Sequence, residues 1–328
     1  MFIDNNWYGN SYILSKYCKV KHAPIFGSLQ HGLLLASHFD RTKSSDQKLG
    51  YRRFKQIPWF VWNDYIVENT KKNKIKNVIN LGSPMIYLNE ILKYQKFVKP
   101  KGTLVIPCRS SYESRYVVDY DKLIKSVKNK FEPPYIILVG YFDLANIFKI
   151  RHRYEDCRFV TCGKRKNLNY SYKLYKYFKE CNSIVNFYPG TPILYSLFLK
   201  KKTYFINNRF LIKTTIDPVI MKKENYKVNS KKNLKNKKKI DVNIKQIIKD
   251  DIIGVECFKK EYGIDLFKLN KKIHYNKALL ALGYNKKRSP KKLAKILGWN
   301  NFFKKNLAKL LKIIMNIKYK EMAILKKY

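Results

Sequence analysis

The chain has 328 residues, of which 45% are hydrophobic and 15% aromatic. This composition excludes a disordered protein and allows two domains with cores of their own. The formal net charge is +46, with 58 Lys against 11 Arg. Part of this excess is the bias that an AT-rich genome produces, but so positive a surface still attracts anionic lipid, nucleotide or nucleic acid.

The six cysteines show neither a CxxC pair nor metal-ligand spacing. We therefore expect buried thiols in a reducing cytosol. The opening residues, MFIDNNWYGN, do not form a secretory signal, and no run approaches the roughly 18 apolar residues of a membrane-spanning helix. We expect a cytoplasmic protein that is either soluble or peripheral on the inner face of a membrane.

Residues 1–98 predict a short first domain. Helices are expected over 10–19 and 84–94. Strands are expected over 24–29, 58–62 and 77–81. Proline, glycine and charge coincide at 98–102, which makes this stretch the best domain boundary.

Residues 99–207 alternate strands with helices, which predicts a parallel sheet in a Rossmann-like domain. The expected strands are 103–107, 135–139, 158–161, 183–187 and 203–206. The expected helices are 119–129, 143–150, 172–180 and 191–200.

The turn Pro189-Gly190-Thr191-Pro192 joins a strand to a helix in this second domain. Thr191 is a good N-cap, and Pro192 suits the first helical position. Such a helix start attracts an anion such as a phosphate, although an ordinary capped helix explains the pattern as well. The GxGxxG and GxxxxGK[ST] fingerprints of dinucleotide and NTP sites are absent.

The chain becomes strongly basic after residue 206, with 33 Lys plus Arg against 9 Asp plus Glu in residues 207–328. We expect a basic linker over 208–242 and a helical C-terminal region over 243–328. Its helices are expected at 243–250, 255–262, 289–298 and 302–326. The last is basic and amphipathic, so that it either packs on the protein's own core or binds an anionic membrane surface.

Four segments together carry a family resemblance. They are GSLQHG at 27–32, TLVIPCRSSYESRYVVDYDKLIKSV from Thr103, the stretch from FVTCGKR to YFI at 159–206, and ALLALGYNKKRSPKKLAKIL at 278–297. In this order they resemble bacterial glycosyltransferases of capsule and lipopolysaccharide type, which have the GT-B fold. The resemblance implies an α/β protein with two Rossmann-like domains, the first of them short, followed by a basic helical tail.

The resemblance implies metal-independent transfer of a sugar to a growing surface polysaccharide, glycan or lipid-linked acceptor. The nucleotide sugar is then a substrate, and no cofactor or metal is expected. The donor-binding residues that it implies are Arg109, Ser110, Gly163, Arg165, Gly190 and Thr191. His31 is the first candidate for the general base, because an imidazole titrates near neutrality. A structural histidine that hydrogen-bonds its own loop is the equal alternative.

Two departures from the family pattern and two rival interpretations stay open. Arg109 stands where the family usually has His, and the first half is short for an acceptor domain. A protein that keeps the fold without catalysis is therefore an alternative. A basic nucleic-acid-binding protein is another, but no RRM, KH, zinc-finger or helix-turn-helix pattern supports it, and no nucleic acid is expected. The sequence does not decide between CMP, UDP and GDP donors.

Overall fold

The computed structural model describes residues 7–22, 24–33, 58–72, 77–108, 114–207, 210–216, 240–241 and 244–300. These residues form mixed α/β structure with two parallel sheets and one antiparallel sheet. The strands are β1 Ser28–Leu29, β2 Trp59–Val61, β3 Val78–Asn80, β4 Thr103–Ile106, β5 Ser114–Val118, β6 Tyr135–Leu138, β7 Cys157–Val160, β8 Ser183–Asn186, β9 Lys202–Phe205, β10 Leu211–Ile216 and β11 Ile240–Asp241. The α-helices are α1 Asn10–Tyr17, α2 Asp64–Lys72, α3 Pro84–Leu92, α4 Tyr120–Lys128, α5 Leu144–Ile150, α6 Tyr170–Glu180, α7 Thr191–Phe198, α8 Ile244–Tyr262, α9 Lys271–Ala281 and α10 Pro290–Ile296.

The five-stranded parallel sheet has the order β7-β6-β4-β8-β9. Both β4 and β6 are buried along their whole length, as expected for parallel strands covered by helices on two faces. Alternate side chains enter different cores, so that Leu104 and Ile184 pack on one face while Val105 and Val185 pack on the other. This order is doubly wound and Rossmann-like, and it confirms the parallel sheet predicted for residues 99–207.

The second parallel sheet has the order β1-β2-β3 and is built from the first hundred residues. Its strands are shorter than the sequence predicts, and of the stretch 24–29 only Ser28 and Leu29 pair with β2. The main hydrophobic core runs without a break from this sheet to the larger one, and Phe60, Leu104 and Leu293 all belong to it. The domain limits drawn at 98 and 207 stay a prediction.

The antiparallel sheet has the order β11-β10-β5. Strand β10 runs from Leu211, opposite Val118, to Ile216, opposite Ser114. The stretch 208–242, expected as a linker, thus contains a strand that the sequence analysis did not foresee. The basic run at 231–239 lies outside the described residues.

The C-terminal region departs from the prediction in two helices, α8 and α9. The two helices expected at 243–250 and 255–262 are the single helix α8, which continues through Gly254. A Cβ on Gly254 would lie 2.8 Å from Cγ of Pro189, so this glycine permits close packing and does not break the helix. Helix α10 begins at Pro290 after Ser289, as predicted.

Helix α9, which was not predicted, joins the C-terminal region to the smaller parallel sheet. Ser83, which follows β3, donates its backbone N–H to the Leu282 carbonyl at 2.7 Å, and the Asn63 side chain donates to the Ala281 carbonyl at 2.6 Å. The helix expected at 302–326 lies outside the described residues. None of the helices in the described part of the chain is long and apolar enough to cross a membrane.

Candidate functional site between the two parallel sheets

The larger sheet reverses its strand succession between β4 and β8, where Ile106 lies opposite Asn186. In doubly wound sheets the carboxyl ends of the strands on either side of such a point leave a crevice that binds ligands. Here the chain leaves β4 through Pro107 and Cys108, and it leaves β8 through Phe187 to Gly190. The turn singled out in the sequence therefore lies at this crevice.

A cavity of about 330 Å³ opens at this point. Its volume falls at the lower end of the range for small-molecule sites. Residues from positions 8–33 and from positions 170–195 line the cavity, and most of them are aromatic or carry a hydroxyl group. They are Tyr8, His31, Gly32, Leu33, Tyr170, Ser171, Leu174, Tyr188, Pro189, Gly190, Thr191, Pro192 and Tyr195. His31, Gly190 and Thr191, three of the residues predicted for the site, thus meet in one cavity.

Thr191 contacts the other side of the cavity. Its hydroxyl oxygen accepts a hydrogen bond from the backbone N–H of Leu33 at 2.9 Å. The expectation that Thr191 caps α7 is wrong, because Gly190 is the cap residue, Thr191 is the first helical residue and Pro192 the second. The threonine side chain bonds to the loop after β1 and leaves its own helix uncapped.

This arrangement limits the donors at the start of α7. Pro192 has no N–H, and the N–H of Ile193 donates to the Gly190 carbonyl at 3.1 Å. Among the described residues at this turn, the N–H groups of Gly190 and Thr191 and the Thr191 hydroxyl proton are left for an anion. Gly190 is extended, at φ −174°, and a Cβ there would lie 2.8 Å from the Tyr188 ring. The absence of a side chain at position 190 therefore makes room for the Tyr188 ring.

His31 follows β1 and is exposed at the cavity. Buried Gln30 fixes this loop, since its side chain donates to the Gly32 carbonyl at 2.7 Å and accepts from the Trp62 N–H at 3.0 Å. The Trp62 indole N–H in turn donates to the Gln30 carbonyl at 3.1 Å. The His31 ring lies 4.8 Å from that of Trp7, measured between centroids.

Two of the other predicted site residues, Gly163 and Arg165, lie elsewhere. Gly163 has φ +87° and its N–H donates to the Thr161 hydroxyl, which is a turn role. The Arg165 guanidinium stacks on Trp7 at 4.6 Å from the ring centroid. Neither residue lines the cavity. Arg109 and Ser110 lie outside the described residues.

Asp119 and Asp121 form an Asp-x-Asp triplet, in which two carboxylates could bind a metal ion. Asp119 caps α4 by accepting the Lys122 N–H at 3.1 Å, and Asp121 accepts a hydrogen bond from the Tyr154 hydroxyl. Neither lines the cavity. Among the described residues no group of three or more His, Cys, Asp or Glu side chains could hold a metal ion. The metal-independent mechanism stays a prediction.

Sequence reasoning missed several residues that line the cavity. Tyr188 lies two residues after β8, at the carboxyl edge of the sheet where ligands bind in doubly wound folds. Tyr170 and Ser171 begin α6, after the loop that leaves β7. Tyr8 comes from a segment before α1 for which no local pattern indicates a site.

Comparison with known proteins adds one similarity. No family model matches the chain, and neither does any curated protein sequence. Among solved structures, the wall teichoic acid polymerase TagF matches with a TM-score of 0.36 and 15% identity, over 83% of this chain and 69% of that one.

Proposed function

We propose that the protein is a glycosyltransferase that moves a sugar from a nucleotide-sugar donor to a growing surface polysaccharide or other glycan, in a GT-B-like arrangement and without a metal ion. The observation that carries the proposal is the cavity at the switch point of the larger sheet. It is lined from one side by His31, which follows β1, and from the other by Thr191, which begins α7. A site that two substrates must enter needs surfaces from two sides.

In this mechanism an acceptor hydroxyl oxygen attacks the anomeric carbon of the donor sugar. The bond between that carbon and the phosphate oxygen breaks, and the nucleotide leaves with the electron pair. Thr191 would stabilise the departing phosphate through its backbone N–H and its hydroxyl proton, since the hydroxyl oxygen already accepts from Leu33. Arg109 and Ser110 are proposed to add positive charge and hydrogen bonds, whereas Arg165 stacks on Trp7 and does not line the cavity.

His31 would take the proton of the acceptor hydroxyl. Its position after β1 places it at the cavity, across from α7. An imidazole is suited to this proton transfer near neutral pH. Asp64, which could also serve as a base, is held elsewhere. Burial raises the pKa of its carboxyl, but hydrogen bonds from Lys286 and Asn80 oppose burial, and the pKa is lowered overall. Its carboxylate lies 2.8 Å from the Lys286 ammonium.

Thermal shift with nucleotides and nucleotide sugars tests the donor site. CMP, UDP and GDP and their sugar conjugates are compared on the wild type, Thr191→Val and Thr191→Ser. We expect one nucleotide to raise the Tm of the wild type and of Thr191→Ser, and to raise that of Thr191→Val much less. Thr70→Val is the matched control, because Thr70 is buried in α2 and its hydroxyl donates to the Val67 carbonyl.

The outcomes separate the alternatives. No response to any nucleotide by the folded protein would contradict the donor site. Binding of a nucleotide sugar without turnover would favour a protein that has kept the fold and lost catalysis. Stoichiometric binding of DNA or RNA with a steep salt dependence would favour a nucleic-acid-binding protein.

We also propose that the basic C-terminal region can hold the protein against an anionic membrane surface. Residues 263–300 contain ten Lys plus Arg and one acidic residue. Ile273 and Leu280, seven residues apart on α9, are 62% and 61% exposed. The amphipathic stretch 302–326 would extend this surface.

A further inference from the structure

The segment Trp7–Gly9, which precedes α1, has an unusual backbone. Tyr8 has φ 60° and ψ 18°, and Gly9 has φ 72° and ψ 15°. Glycine adopts this left-handed region readily, but a residue with a side chain does so at a cost of about 1–2 kcal/mol. Gly9 is required here, because a Cβ would collide with the Leu168 carbonyl oxygen. Backbone outliers of this kind persist where the surrounding structure fixes them.

Three contacts fix Tyr8, and all of them come from residues 165–171. The Tyr8 N–H donates to the Arg165 carbonyl at 2.5 Å, and the Ser171 hydroxyl donates to the Tyr8 carbonyl at 2.6 Å. The Tyr8 ring meets the Tyr170 ring edge-on, with 4.9 Å between centroids. The segment is thus attached to the loop and helix that follow β7, at the carboxyl edge of the larger sheet.

The same segment packs on His31, which belongs to the smaller sheet. The Trp7 ring lies 4.8 Å from the His31 ring, and the Tyr8 ring lies 6.2 Å away at an interplanar angle of 29°. The Arg165 guanidinium lies over Trp7, 4.6 Å from its ring centroid. Such stacks of an aromatic ring with a cation or a second ring restrict the orientation of both partners.

We propose that Trp7 and Tyr8 are positioning residues that fix the orientation of the His31 ring toward the cavity. The catalytic importance of His31 rests on the proposed function. The packing of Trp7 and Tyr8 on the His31 ring can be tested without turnover. Residues 7–9 are bonded to residues 165–171. The orientation of the His31 ring therefore depends on the loop and helix that follow β7.

NMR of the histidine ring protons tests the packing. The chain has five histidines, and His31→Gln identifies the His31 signals by their loss. Trp7→Leu removes the ring current at His31 and is expected to displace those signals. Trp7→Phe keeps a ring and is expected to displace them less. Tyr12→Leu is the matched control, because Tyr12 packs edge-on against His22 at 5.7 Å and its loss should move only the His22 signals.

Steady-state kinetics with the nucleotide sugar identified by thermal shift tests whether the orientation of His31 matters for turnover. Trp7→Leu is expected to lower kcat by about 10–100-fold with little change in KM, and Trp7→Phe to recover most of the loss. If Trp7→Leu does not fold, Tyr8→Leu replaces it, since Tyr8 also packs on His31.

Unchanged His31 signals in folded Trp7→Leu would overturn the inference, as would unchanged kcat in a protein that turns over. If His31 shifts as expected and no nucleotide sugar is turned over, the positioning stands and the proposed function fails. The two failures are therefore distinguishable.

Discussion

The Leu33 N–H donates to the Thr191 hydroxyl at 2.9 Å, and this hydrogen bond joins the loop after β1 to the first turn of α7. It spans 158 positions of the chain and links the carboxyl edges of the two parallel sheets. Gly32 lies beside it, since a Cβ at this position would be 3.7 Å from the same oxygen. The contact between the two sides of the cavity therefore depends on one threonine.

Removing this hydroxyl should cost stability. Thr191→Val leaves the Leu33 N–H without its acceptor, and we expect a loss of about 1–2 kcal/mol in the free energy of unfolding. Thr191→Ser should lose much less, because it keeps the hydroxyl. Urea unfolding measures both, with Thr70→Val as the control for losing a hydroxyl within a helix. Equal losses for the valine and serine variants would show that the bond to Leu33 does not contribute.

Gly283 should be among the least replaceable glycines. It has φ +71°, and a Cβ would collide with the Trp62 carbonyl oxygen, where α9 meets the smaller sheet. We expect Gly283→Ala to lower the free energy of unfolding by roughly 3 kcal/mol or more, measured in urea. Gly263→Ala is the matched control: φ is +63°, but the nearest atom is the flexible Lys277 ammonium at 3.2 Å. Similar losses for both variants would mean that the collision with Trp62 is relieved easily.

Lys201 should make stability depend on pH. Its ammonium donates to the Cys181 carbonyl at 2.7 Å and the Lys179 carbonyl at 3.2 Å, and burial lowers its pKa to about 8. The unfolded chain keeps this proton up to about pH 10. Between these values the unfolded state binds more protons, so this residue's contribution to stability rises with pH.

Lys201→Met removes that contribution. We expect the unfolding free energy of the wild type minus that of Lys201→Met to increase from pH 8 to pH 9.5, measured by urea titration at each pH. Exposed Lys202→Met is the control, and its difference from the wild type should stay flat. A constant difference for Lys201→Met would contradict the lowered pKa.

Vesicle co-sedimentation decides between the two interpretations of residues 302–326. We expect the full chain to pellet with phosphatidylglycerol vesicles, to stay in solution with phosphatidylcholine vesicles, and to be released by salt. Replacing Leu310 and Ile314 by serine should weaken pelleting and leave the unfolding midpoint unchanged. A lower midpoint with unchanged pelleting would indicate that the segment packs on the protein's own core.

The sequence predicted the larger sheet well, because buried parallel strands are short apolar runs separated by turn residues. Strands β4, β6 and β8 each lie within one residue of the expected limits. Helices α2 and α9 and strands β5, β10 and β11 were missed, although β5 (SRYVV) and β10 (LIKTTI) contain β-branched residues. Long-range pairing with the opposite strand, which local pattern does not reveal, forms β10.

The site was predictable only where it follows a strand. His31 lies two residues after β1, and Thr191 begins the helix after β8. The turn patterns and the family resemblance indicated both. Local capping preference gave Thr191 the wrong role, because its hydroxyl bonds to Leu33, which is distant in sequence. Tyr8 and Ser171 reach the cavity through tertiary packing alone.

Nucleotide release from sugar nucleotides, measured together with nucleotide binding for the wild type and His31→Gln, tests the central claim most directly. We expect the wild type to release the nucleotide that stabilises it, in the presence of a glycan acceptor. We expect His31→Gln to bind this nucleotide equally well and to release it at least about 100-fold more slowly. Full activity of His31→Gln would contradict the role of His31, and the absence of release by a wild type that binds the nucleotide would contradict the transferase itself.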